Sequence, residues 1–262
     1  MPAAQVGFKA LAANVSDIAA AGGKPVAAVV SLELPAGLPV KWFEQLYAGL
    51  IAGAQYYRLA LAGGNISAGP HVAIHTAMVG EAPGRRIGRD GARPGDIVAV
   101  TGLLGGSLAG LLALKRGLRG KAARAAVSRH FCPLPNPAAG RILARFASAQ
   151  IDISDGLLHE AGLIAAASRV ALALVPGAIP VHPDARALAP QLNLGPAALA
   201  LGSGEEYELL ATVPRRRFEL AARAVSRLGV VLTAVGEVRR GRGVELAGGP
   251  VGPVKGFDHF LR

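Results

Sequence analysis

One cysteine in 262 residues leaves no possibility of an internal disulfide or a CxxC metal site. That residue, Cys132, lies in Phe131-Cys132-Pro133-Leu134-Pro135, where a helix runs into a proline-rich turn, a poor setting for a catalytic thiol. Aromatic residues make up 5% of the chain, so its core must be mainly aliphatic. Acids are also few: 17 Asp and Glu against 28 Lys and Arg, a net charge of +11. Such an excess suits a polyanionic partner. The basic residues are nevertheless scattered among loops at 85–93, 215–217 and 239–242. No long basic helix or aromatic-interleaved basic stretch is present, so the expectation is no nucleic-acid binding. Every long apolar run meets Gly, Pro or a charge before the roughly 20 residues that a membrane helix requires. Lys9 is followed by a helix with polar interruptions, unlike a signal peptide, which predicts a soluble cytoplasmic protein without membrane contact.

What is present is a folding sequence, 52% hydrophobic with 35 Gly and 18 Pro, long enough for one large domain or two small ones. Residues 6–21 have helical spacing, and 26–34 form an aliphatic run ending at Pro35 that reads as a buried strand. Trp42, Leu46, Leu50 and Ala54 recur at steps of four, predicting a helix over 39–58. A short strand over 59–62 is expected to break at Gly63-Gly64-Asn65, with another strand over 71–80. The Gly-, Arg- and Pro-rich segment 83–96 is the best domain boundary. Beyond it, strands are expected at 96–101, 151–154, 170–174, 208–213 and 232–238. Helices are expected at 107–117, 121–131, 137–147, 155–168 and 215–228. The alternation predicts an α/β protein with mixed sheets. One oddity is that the chain opens in a helix with no strand before it, so the sheet it covers needs partners from elsewhere.

The few acids gather in short motifs beside Gly and Ser. In Asp152-Ile153-Ser154-Asp155-Gly156, two carboxylates flank a serine where a strand turns into a helix. The helix start offers free N–H groups to phosphate oxygens, and the acids can hold a hard divalent ion. An N-cap accounts for one polar residue there, but not for a second acid at the end of an apolar strand. Asp17 follows Asn14 and Ser16 on a small-residue helix face and would pass alone for a surface acid. Gly102-Leu103-Leu104-Gly105-Gly106-Ser107 looks like a phosphate-cradling turn but lacks the Walker lysine, and reads as structural. Arg89, between Gly88 and Asp90, can either clamp a phosphate or be a solvated loop arginine. Glu205 and Glu206 precede a strand, and as neighbours they should point to opposite faces, one toward a site.

Taken in order, a further set of motifs carries a resemblance. They are Phe8-Lys9-Ala10-Leu11-Ala12-Ala13-Asn14-Val15-Ser16-Asp17, Gly63-Gly64-Asn65-Ile66-Ser67, Gly88-Arg89-Asp90-Gly91-Ala92-Arg93-Pro94-Gly95-Asp96, Asp152-Ile153-Ser154-Asp155-Gly156-Leu157, Gly204-Glu205-Glu206-Tyr207-Glu208-Leu209 and Gly256-Phe257-Asp258-His259-Phe260. The chain resembles the thiamine-monophosphate kinase family of the aminoimidazole-ribonucleotide (AIR)-synthetase-like superfamily, over nearly its whole length. The resemblance implies a two-domain PurM-like fold, with an N-terminal domain over 1–85 and a C-terminal domain with a substrate-contacting tail over 86–262. It further implies a homodimer through the N-terminal domain and transfer of the ATP γ-phosphoryl group to thiamine monophosphate. Carried over, Asp17, Asp152 and Asp155 would hold Mg²⁺. Tyr47, Gly64, Asn65, Arg89 and Ser154 would contact ATP, with Asn65 where many members have a metal-binding Asp. Glu205 and Phe257 would meet the thiamine moiety. The family pattern also begins with a Gly-Asp-Asp metal motif and an acid-and-His motif not found here, which implies an incomplete N-terminal domain and weakened turnover. Gly106 stands where many relatives have Asp, and Glu206 replaces a more usual Asp. Two alternatives are a catalytically impaired binder of ATP or thiamine phosphate, and another ATP-using member of the superfamily. The segment 205–209 and the tail argue against the second.

Overall fold

A computed structural model describes residues 1–82, 84 and 86–249 of the chain. Helix α1, Ala3–Ala20, buries Leu11, Val15 and Ala19 at steps of four. Helix α2, Val40–Tyr57, presents Leu46, Leu50 and Ala54 to it. The two helices touch backbone to backbone, since a Cβ on Gly49 would lie 1.8 Å from the Ala4 carbonyl oxygen and one on Gly7 2.1 Å from that of Leu46. Both lie on one face of a three-stranded sheet in the order β2-β1-β3, with β1 Lys24–Leu34, β2 Ala60–Ala68 and β3 Ala73–Glu81. Strand β1 runs parallel to β2 and antiparallel to β3, and its Ala28, Val30 and Leu32 face the helices.

The expected break at Gly63-Gly64-Asn65 does not occur: β2 continues through it to Ala68. The physical reason lies in Gly64, where a Cβ would sit 1.9 Å from the Val30 carbonyl oxygen. The glycine permits close approach of two strands rather than a turn.

A second sheet is assembled from β4 Asp96–Thr101, β5 Ala149–Asp152, β6 Ala171–Leu174, β7 Leu209–Pro214, β8 Leu232–Arg239 and β9 Gly243–Leu246, in the order β5-β7-β4-β8-β6-β9. All neighbours are antiparallel except β6 and β9. Both faces are buried, with the period of two that strands impose. Val98, Val100 and Leu210 enter one aliphatic core and Ala99, Leu209 and Ala211 another. The first core is closed by α3 Gly106–Lys115, α4 Lys121–Phe131, α6 Leu157–Ser168, α7 Pro183–Leu192 and α8 Pro196–Gly202. The second is closed by α5 Pro137–Leu143 and α9 Arg215–Ser226. The helix expected over 137–147 stops early, at Leu143. Helices α7 and α8 lie in a segment to which the sequence reading assigned nothing. Pro183 and Pro196 stand in their first turns, where a missing N–H does no harm.

The opening helix serves both sheets. Its body covers the first, and its last turn docks on the second, where Gln150 Nε2 donates to the carbonyls of Ala19 and Ala20 at 3.0 and 3.1 Å. Among the described residues, no helix is long and apolar enough to cross a membrane.

Candidate active site

Strand β5 ends at Asp152, and the chain then turns through Ile153 to Gly156 into α6. This turn runs beside the segment 204–208. Ile153 N–H donates to the Glu208 carbonyl at 2.7 Å, Tyr207 N–H to that of Ile153 at 2.9 Å, and Glu205 N–H to that of Ser154 at 2.6 Å. Two acidic motifs about fifty residues apart thus form one surface. Helix α1 crosses it and adds Asp17, anchored by Ser16, whose Oγ donates to Asp152 Oδ2 at 2.7 Å. Asp17, Asp152, Ser154, Asp155, Glu205 and Tyr207 line one cavity of about 730 Å³, with Ala13, Leu108 and Leu111 as apolar wall.

The carboxylates are crowded. Asp17 is exposed as a residue, yet partial desolvation of its carboxyl, then the charge of Asp152, pushes it up to about 6. Burial also raises Asp152, partly offset by the Ser16 bond. Glu160, in the first turn of α6, is pushed up to about 7, mainly by burial. Its Oε1 accepts the Asp155 N–H at 2.9 Å and approaches Ser154 Oγ at 3.4 Å, while its Oε2 is buried with no partner among the described residues. Neither Ser154 nor Asp155 caps α6, so the N-cap explanation of this motif fails. Asp155, His159 and Glu160 bring ligand atoms within 4.8 Å of one another. A hard cation would find carboxylate oxygens here.

The Gly-rich turn 102–106 leads directly into α3, whose next two N–H groups are engaged within the protein: Ser107 N–H donates to Glu206 Oε1 at 3.0 Å and Leu108 N–H to Ser203 Oγ at 2.9 Å. Glu206 therefore caps a helix from 99 residues away, in a buried site where desolvation raises its pKa to about 7. The two adjacent glutamates do diverge as expected, though not on a strand. Residues 203–208 are irregular, and Glu205 and Tyr207 both have left-handed backbone, φ 56° and 54°.

Of the candidate residues, Asp17, Asp152, Ser154, Asp155 and Glu205 share the cavity. Tyr47, Gly64, Asn65 and Arg89 do not line it. Tyr47 is half-buried against Phe43 in α2, with ring centroids 4.8 Å apart. Gly64 and Asn65 lie on β2, opposite Val30 and Ser31. Arg89 is exposed in a loop, its carbonyl accepting from Ser168 Oγ at 2.8 Å. Phe257 and the tail motif fall outside the described residues. Sequence reasoning passed over Glu160, Lys9 and His130. The one signal for Glu160 is an acid a single helical turn beyond Asp155 and Gly156; Lys9 lies inside the 8–17 motif without any mark of a role, and His130 offers no signal.

Comparison with known proteins gives this cavity a context. The family described as AIR synthase related protein, N-terminal domain, matches residues 1–82. Thiamine-monophosphate kinase of Aquifex aeolicus is 36% identical over 257 residues, 97% of this chain and 81% of the relative. That of Bacillus subtilis is 34% identical over 241 residues, 89% and 73%. The solved structure of AaThiL complexed with AMPPCP and TMP superposes with a TM-score of 0.90 at 35% identity, covering 99% of this chain and 82% of that one. Thiamine-monophosphate kinase from Stenotrophomonas maltophilia superposes with a TM-score of 0.87 at 32% identity, covering 95% and 80%. Hydrogenase maturation protein HypE of E. coli, at 24% identity and a TM-score of 0.79 over 97% of this chain and 79% of its own, shares the fold alone. The sequence identity, the AIR-synthetase-like fold and the grouped acids agree: the chain belongs to the thiamine-monophosphate kinase family.

Proposed function

We propose that the chain transfers the γ-phosphoryl group of ATP to the phosphate of thiamine monophosphate, releasing ADP and thiamine diphosphate. The observation that carries this reading is the single cavity joining the acids Asp17, Asp152 and Asp155 to Glu205 and an apolar wall. An oxygen of the acceptor phosphate attacks the γ-phosphorus as the bond to the ADP oxygen breaks. The acceptor is already an anion, so no strong general base is required. The work of the protein is positioning and charge stabilisation.

Mg²⁺ fits the donor set, because Asp17 and the buried Asp152 are carboxylates whose mutual repulsion and partial desolvation hold their charge at a cost that a cation offsets. Asp17, Asp152 and Asp155 would hold it, and when bound it would neutralise charge on the polyphosphate. Ser154 offers a hydroxyl to the phosphates beside these acids. Glu205 complements the positive thiazolium, and Leu108 and Leu111 give its ring system an apolar surface. Tyr47, Gly64, Asn65 and Arg89 as ATP contacts, and Phe257 as a thiamine contact, rest on the family resemblance.

The same reading includes a division into domains over 1–85 and 86–262, a cytoplasmic location suited to cofactor synthesis, and a homodimer. Val29 and Val79 support the last, since the sheet face they share turns away from α1 and α2 and leaves them 44% and 64% exposed.

The test is ADP release measured with Mg²⁺ and with thiamine monophosphate present, absent, or replaced by unphosphorylated thiamine. The reading predicts release only with the monophosphate and the metal. Ligand-induced stabilisation without ADP release in any arm would contradict it and favour a binding protein.

A further inference from the structure

Three glutamates fall within four positions at 205–208, and each has different surroundings. Glu208 accepts from Thr101 Oγ1 at 2.6 Å, below the cavity surface. Glu206 is buried and accepts from Ser107 N–H and from Ser203 Oγ, at 3.0 and 2.5 Å. Glu205 alone lines the cavity, its side chain 40% exposed. It does so from a left-handed backbone, which a non-glycine residue keeps only when its surroundings over-determine it.

What holds its side chain can be followed atom by atom. Ser107, tied by its N–H to Glu206, places its Oγ 3.0 Å from His130 Nδ1. The same ring nitrogen lies 3.5 Å from Glu205 Oε2. The other carboxylate oxygen, Oε1, lies 2.8 Å from Lys9 Nζ. Lys9 also donates to the His130 carbonyl at 2.8 Å, linking α1 to the last turn of α4. Each oxygen of Glu205 thus has its own partner. A carboxylate has about four lone-pair positions, so two partners leave room for a ligand.

We propose that His130 and Lys9 are positioning residues that aim the Glu205 carboxylate into the cavity, with Glu206 setting His130 through Ser107. The inference rests on the reading above, in which Glu205 meets the thiamine moiety. Burial, and next the nearby Lys9 charge, lower the proton affinity of His130. Its Nδ1 stands 3.0 Å from Ser107 Oγ and 3.5 Å from Glu205 Oε2, placed between the two. The network is also placed to discriminate between substrates: Ser107 and His130 line the cavity beside Glu205, and among the described residues none of these contacts reaches Asp17, Asp152 or Asp155.

The test separates KM for the two substrates in the intact chain. His130→Ala and Lys9→Met are each expected to raise KM for thiamine monophosphate on the order of tenfold, as loss of one charge-assisted bond does. KM for ATP should stay within about twofold of the unaltered chain, since the acids are untouched. His130→Asn, whose side-chain amide can donate from the place of Nδ1, should recover most of the affinity. Calorimetric binding of thiamine monophosphate without ATP should give the same ranking. Equal rises in both KM values, or an Asn variant no better than Ala, would reduce His130 to packing and overturn the inference. So would unchanged thiamine monophosphate affinity in both His130→Ala and Lys9→Met. If the unaltered chain neither binds nor phosphorylates thiamine monophosphate, the function itself is contradicted, and the inference with it.

Discussion

Ser16 and Asp152 stand 136 residues apart in sequence and are joined by a 2.7 Å hydrogen bond with both side chains buried. This bond fixes the opening helix to the strand end that carries the acids, and it favours the charged form of Asp152. Replacing Ser16 by Ala removes a charge-assisted donor and leaves a buried carboxylate oxygen unpaired, a loss of about 1.5–3 kcal/mol. Urea denaturation should show that loss, and steady-state kinetics a fall in kcat. Unchanged stability would mean that water replaces the hydroxyl without penalty.

Asp17 and Asp152 repel each other in the metal-free protein. Asp17→Asn should therefore raise metal-free stability at neutral pH by on the order of 1 kcal/mol, given that Asp17 is about half-screened by solvent. The same variant should gain less in melting temperature from added Mg²⁺ than the unaltered chain. A larger gain would remove Asp17 from the metal site.

Glu206 supplies a pH signature. Its folded pKa, about 7, lies above the ordinary 4.5, so between these values the folded state binds more protons than the unfolded. Stability from this group is present below about pH 4.5 and is lost as pH rises through about 7. Asp17, Asp152, Glu160 and Glu208 shift in the same direction, and His130 and His182 act oppositely. The informative quantity is the difference from Glu206→Gln, which keeps the shape without the titration. Melting curves from pH 5 to 8 should fall less steeply for Glu206→Gln. Parallel curves would contradict a protonated, buried Glu206.

Gly49 sets the position of α1. A methyl at this point would sit 1.8 Å from the Ala4 carbonyl oxygen, so Gly49→Ala must push α2 away from α1, the helix that carries Lys9, Ser16 and Asp17. The expected loss is about 1–3 kcal/mol, with reduced activity. Gly162→Ala is the contrast: nothing lies within 4 Å of its added methyl in α6, and it should gain about 0.5–1 kcal/mol. Equal melting temperatures for the two variants would contradict the packing account.

How much of this was legible before the fold depends on the residue. Asp152 and Asp155 stood out because acids at the end of an apolar strand demand partners, and the structure brings both to the cavity. Asp17 was recognisable only through its motif, since a single acid on a helix has no local mark. The pair Gly63-Gly64 was misread as a turn, because sequence cannot tell a glycine needed for a bend from one needed for strand contact. Helices α7 and α8 were hidden by their prolines, Pro183, Pro190 and Pro196. His130 and Lys9 gave no signal, because their roles arise from contacts across 121 residues. Glu160 has no local mark beyond its place in the first turn of α6, and only the fold turns its carboxylate back to the Asp155 N–H.

The central claim is that the acids gathered on the β5 turn and α1 support phosphoryl transfer to thiamine monophosphate. Its most direct test is chromatographic detection of thiamine diphosphate after the 262-residue chain is incubated with ATP, Mg²⁺ and thiamine monophosphate, beside Asp152→Asn. The account predicts product from the unaltered chain and a loss of at least about 10²-fold in the variant, as removal of one charge-stabilising group at a transition state brings. No product from a folded chain that binds both substrates, or equal product from Asp152→Asn, would contradict it.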